Sequence, residues 1–182
     1  MPELSDIIKL GVIIFSCTGF LAFLLVLGVS DPVVNITNYA EGYYHSYTIP
    51  NIIDIVMTDT YYNITGISEI HSRGITFEDN GIKINKQSHY LINGGVSFSG
   101  GTGGIYEFEI FVNEVGQENC VFFRNSTSSD IGYGGITCTL ELYPDDMLTA
   151  RIKDISNPPK DVSIHQLNFN IVEVADNYLS IS

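Results

Sequence analysis

The sequence predicts an all-β sandwich standing behind one apolar amino-terminal helix. Three observations carry that expectation. No charged side chain occurs from Leu10 to Val29, a run reading LGVIIFSCTGFLAFLLVLGV. Beyond residue 51, short stretches of alternating apolar and polar residues are separated by Gly, Asn, Asp and Pro. No stretch after residue 31 places apolar residues at helical spacing.

The apolar run has 20 residues, the length a helix needs to cross about 30 Å of hydrocarbon. Asp31-Pro32 ends it, because proline cannot continue a helix and aspartate resists burial in lipid. A cleaved signal sequence is the competing reading, but its apolar region is usually shorter and its leading segment more basic, whereas Lys9 stands alone here. Hydropathy cannot tell lipid from an apolar protein surrounding, so a pilin-like subunit burying the helix in a filament core is the alternative. The expected organisation is a transmembrane helix over 1–30, a linker or stalk over 31–50 and a β-domain over 51–182.

Three Asn-x-Ser/Thr sequons, at Asn35, Asn63 and Asn125, favour a β-domain facing outward or into a lumen. Of the three cysteines, Cys17 lies in the apolar run. Cys120 and Cys138 lie in the β-rich part, either as a disulfide or as two buried thiols; an extracytosolic domain favours the bond.

The strands can be read in order. NIIDIVMT from Asn51 and YYNITGI from Tyr61 are β-rich, and Glu78-Asp79-Asn80-Gly81 is turn chemistry before the alternating Ile82–Asn85. Tyr90–Phe98 is a longer strand, and SGGTGG (Ser99–Gly104) is a hairpin loop. In Ile105–Asn113, Tyr106, Phe108 and Ile110 share one face while Glu107 and Glu109 share the other, the period of a half-buried strand. Asn119–Arg124 is a strand, Ser126–Gly135 a polar loop, and Ile136–Tyr143 and Leu148–Ile155 are strands about the Pro144-Asp145-Asp146 turn. Val162–Val174 closes the series, and its apolar parity switches after Ile164, which predicts a bulge there. Eight or more short strands without helices imply a sandwich or jelly roll.

The stretch ITFEDNGIKINKQSHYLINGGVSFSGGTGGIYEFEIFVNEVG, with ITCTLELYPDDMLTARI and SIHQLNFNIVEV downstream, resembles the C1q/TNF-like jelly-roll superfamily over about residues 77–174. Two positions depart from its pattern: His89 stands where glycine is usual, and Asp145-Asp146 where Gly-Asp is usual. The resemblance implies a compact homotrimer in which one sheet's aromatic face packs around a threefold axis. Tyr90, Tyr106, Phe108, Phe122, Phe123 and Phe169 are the candidates for that face. Members of this superfamily form phage, virus and spore-surface tips and cytokine-like ligands. The implied role is a structural or attachment protein on a virion or cell surface, held to lipid by residues 10–29 and meeting a receptor or neighbouring structural protein.

Chemistry is not signalled. The net charge of −13 repels phosphates, which excludes nucleic acid as a partner. No catalytic motif occurs, and His45, His71, His89 and His165 share no ligand spacing, so no enzyme, cofactor or metal is expected. The acidic turns at Glu78-Asp79-Asn80 and Asp145-Asp146 read as solvated turns, not calcium loops.

Overall fold

The computed structural model describes residues 38–46, 50–126 and 130–174; the apolar run 10–29 and Asn35 lie outside the described residues. All described regular structure is β, in twelve strands: β1 Tyr39–His45, β2 Asn51–Ile53, β3 Tyr62–Asn63, β4 Ser68–Arg73, β5 Ile75–Glu78, β6 Gly81–Ile84, β7 Ser88–Gly100, β8 Ile105–Val112, β9 Val115–Asn125, β10 Gly132–Leu142, β11 Met147–Asp154 and β12 Val162–Val174. They form two antiparallel sheets. The first runs β10-β7-β12-β1-β4, with β2 also pairing β12; the second runs β5-β6-β11-β8-β9, with β3 also pairing β11. Among the described residues no helix is long and apolar enough to cross a membrane.

The alternation in the sequence becomes the core. Tyr106, Phe108 and Ile110 of β8 point between the sheets, against Ile92, Val96 and Phe98 of β7 and Leu167, Phe169 and Ile171 of β12, all essentially inaccessible to solvent. Full burial of each such side chain stabilises by about 1.5–3 kcal/mol. The expected bulge in the last strand is present, since the β12–β7 register shifts between Ile164 and Gln166. At the Asp79–Asn80 turn both residues have positive φ, 49° and 61°, as a tight hairpin requires.

The linker expectation for residues 31–50 is corrected in its described part. Tyr39–His45 is a central strand of the first sheet, paired on both sides by β12 and β4. Its inward positions are Tyr44, which packs against the core, and the small residues Ala40 and Gly42, with Phe77 filling the space beneath Gly42. A β-carbon at Gly42 would lie 2.5 Å from that ring. The strands expected from Asn51 and Tyr61 shrink to β2 and β3, and β4, of sequence SEIHSR, is a strand that the alternation does not announce.

Candidate interaction surface

The two sheets present different faces to solvent, and the difference follows from register. Where Ala40, Ile171, Ile92 and Cys138 line up across the first sheet they are all buried. The intervening rows therefore point outward: Tyr39–Val172–Leu91–Thr139, Glu41–Asn170–Asn93–Thr137, Tyr43–Asn168–Gly95–Gly135 and His45–Gln166–Ser97–Tyr133. With the histidine neutral, Glu41 alone among them carries a formal charge.

This face is shaped by aromatic rings and glycines. Tyr133 is 68% exposed and lies across Gly95. Tyr43 stacks on His45 with ring centroids 5.7 Å apart. Between Tyr133, Gly95, Asn93, Asn168 and Asn170 is a depression of about 290 Å³. A second, of about 350 Å³, is bordered by Tyr39, Glu41, Asn170 and Val172. Thr137 Oγ1 donates to Asn93 Oδ1 at 2.9 Å. The Oδ1 of Asn170, between the two depressions, is buried with no hydrogen-bond partner among the described residues. In native proteins such acceptors are met by ordered water or by a donor from a partner.

The solvent face of the second sheet is closed by its own side chains. Lys153 Nζ sits 2.8 Å from Asp59 and 3.1 Å from Glu107, and 4.4 Å above the Tyr61 ring. Burial opposes the charge of Lys153, but its hydrogen bonds and ion pairs with Asp59 and Glu107 outweigh that and hold its pKa above the ordinary value. Tyr61 donates toward Glu107 and Glu109 and packs edge-on against Phe111 at 4.7 Å. Burial, reinforced by these two carboxylates, pushes its phenol well up. Arg151 pairs with Glu114 and lies 4.3 Å over the Phe111 ring. Both described sequon asparagines are exposed on this side: Asn63 stands opposite Arg151 and Asn125 opposite Ile105.

The aromatic candidates for a threefold face need correction. Tyr90, Tyr106, Phe108 and Phe169 fill the sandwich interior of the protomer itself and are unavailable to a neighbour. Phe122 packs against Phe108 at 5.2 Å and is half-buried, while Phe123 is 59% exposed on the second sheet. The aromatic residues that do lie on an open sheet face are Tyr39, Tyr43 and Tyr133. Reading 126–135 as a polar loop hides Tyr133, which belongs to β10.

Cys120 and Cys138 are disulfide-bonded, with Cα atoms 5.5 Å apart, and join β9 to β10 where the two sheets meet. The acidic turns spend their oxygens internally. Asn80 Oδ1 accepts from Gly66 N and Ile67 N, Asp146 accepts from Asn113 Nδ2 and Tyr143 N, and Asp145 pairs with Lys83. No group of three or more His, Cys, Asp or Glu side chains suited to a metal ion occurs among the described residues.

The two antiparallel sheets form a sandwich similar in fold to TNF ligands of known structure. The structure of Eiger, a TNF from S. frugiperda, matches with TM-score 0.53 at 11% identity, over 76% of this chain and 94% of that one. Murine APRIL at pH 5.0 matches with TM-score 0.53 at 14% identity, over 75% and 98%. The same protein at pH 8.0 gives 0.51, 14%, 75% and 99%. No protein-family model and no curated protein sequence matches the chain. The likeness is therefore one of fold.

Proposed function

We propose that this chain is a membrane-anchored display protein whose β-domain assembles as a homotrimer through the solvent face of the β10-β7-β12-β1 sheet and projects outward to bind a partner. The observation that carries the reading is the contrast between the two faces. One carries only Glu41 and Glu141 as formal charges on its four strands, bears Tyr39, Tyr43, Leu91, Tyr133 and Val172, and holds at Asn170 an acceptor without a partner among the described residues. The other is occupied by ion pairs and carries both described sequon asparagines. Interfaces are depleted of charge and enriched in tyrosine at their centres. Glycans on the second face would leave the first one free for a neighbouring copy.

The anchor part of the reading rests on the uncharged run from Leu10 to Val29. The sequons favour a β-domain outside the cytosol, on a cell surface or a virion envelope. The role is non-enzymatic: recognition by a surface.

Charge introduced at the centre of the face tests the assembly. Leu91→Lys should reduce the detergent-solubilised chain from three chain masses to one, whereas Val121→Lys on the second sheet should leave the assembly intact. An assembly that survives L91K overturns the reading. Alkaline carbonate extraction tests the anchor: the chain should stay with the membrane pellet, and its release into the supernatant would remove that part.

A further inference from the structure

We propose that Asn125 carries an N-linked glycan whose first sugar ring lies on the phenyl face of Phe123. The inference rests on the outward-facing reading of the β-domain and names the site that such a location would modify. Side chains two apart in a strand share a face, with about 6–7 Å between their Cα atoms. Phe123 and Asn125 stand in that relation at the end of β9, opposite Glu107 and Ile105 of β8. Asn125 is exposed, and Phe123 is 59% exposed with Ile105 beside it at 36%. A bare phenyl ring on a strand is an apolar surface awaiting cover. A pyranose presents a face of C–H groups that fits an aromatic ring, and the Asn125 amide is placed to hold one there.

Tyr61 precedes Asn63 at the same spacing. Its ring, however, is already committed to Phe111 and Lys153 and its hydroxyl to Glu107 and Glu109. An aromatic two residues before the asparagine is thus present at both sites, but only Phe123 offers an uncovered ring. In the transfer, the Asn125 Nδ2–C1 bond forms as the C1–O bond to a lipid-linked pyrophosphate donor breaks. The amide gives up one proton, and the lipid pyrophosphate leaves. The sugar then shields Phe123 and Ile105 and stabilises the end of β9.

The full chain expressed in secretory animal cells, with glycopeptide mass spectrometry, tests occupancy. Thermal unfolding in detergent tests the contact. Asn125 is expected to be occupied in a larger share of molecules than Asn63, and F123A is expected to lower that share. N125Q should lower the Tm by about 2–4 °C when Phe123 is present and by less than about 1 °C in the F123A background. F123Y, which keeps the ring, should keep the full effect. Trimming the glycan to its first sugar should leave the Tm unchanged. Occupied Asn63 with unoccupied Asn125, or equal Tm losses in both backgrounds, would overturn the inference while leaving the outward-facing reading intact. A chain that remains associated with membranes but has no sequon modified would overturn that reading and the inference with it.

Discussion

The phenol of Tyr133 lies directly over Gly95 of the adjacent strand, so close that a β-carbon at Gly95 would sit 2.3 Å from its hydroxyl oxygen. The glycine leaves room for the hydroxyl end of the ring against the first sheet. Its backbone φ is not in the left-handed region, so space and not conformation makes the position selective.

Gly95→Val should therefore displace Tyr133 without unfolding the domain, because the colliding group is the far end of a side chain that can swing into solvent. The expected outcome is an unchanged far-ultraviolet circular dichroism spectrum, a Tm within about 4 °C of the parent and a weakened assembly in sedimentation velocity.

The Cys120–Cys138 bond ties the last strand of one sheet to the last strand of the other. Closing its loop stabilises by about 3 kcal/mol in the chain-entropy model. Replacing both cysteines by serine should lower the Tm by about 6–12 °C, and adding reductant to the parent protein should reproduce the loss in calorimetry.

Asp154 organises the loop after β11. It is fully buried, and its carboxylate accepts from Ile105 N at 3.1 Å, Ser156 N at 2.8 Å, Ser156 Oγ at 2.7 Å and Lys160 N at 2.7 Å. Asp154→Ala strands these donors and should cost at least about 2 kcal/mol in urea unfolding. Asp154→Asn retains one acceptor oxygen and should cost less.

Alkaline pH should unfold the domain through its buried phenols. Burial, followed by the negative charge of Glu173, pushes Tyr90 up to about 12. Its hydroxyl donates to Lys86 O at 2.9 Å, a bond that the phenolate loses. The folded-state pKa exceeds the unfolded value of about 10. The stabilising contribution is therefore fully present below about pH 10 and falls away as the pH rises toward about 12. Urea midpoints measured from neutral pH upward should drop steeply over this window, and Tyr90→Phe should flatten the drop.

The sequence makes most of the sandwich legible where one parity is apolar and the other polar. β8 is the clearest case, and the parity switch after Ile164 marks the bulge that β12 contains. β1 blurs the rule: Ala40, Gly42 and Tyr44 face the core, while Tyr39 and Tyr43 face outward. A strand with aromatics on both faces and small residues inward reads as a linker until Phe77 is known to lie beneath Gly42. β4 is a polar edge strand with no apolar face to detect. The candidate surface is the least legible part. Period two shows which residues share a face but not which face the second sheet covers. Tyr90, Tyr106, Phe108 and Phe169 therefore read equally well as interface or as core, and they form the core.

The β-domain is proposed to close as a threefold assembly through the charge-poor face. The molar mass of the full chain in mild detergent, measured by size-exclusion chromatography with light scattering and corrected for bound detergent, tests it most directly. Discrete particles of three chain masses are predicted. A single chain mass at all concentrations, or open-ended fibres, would contradict it.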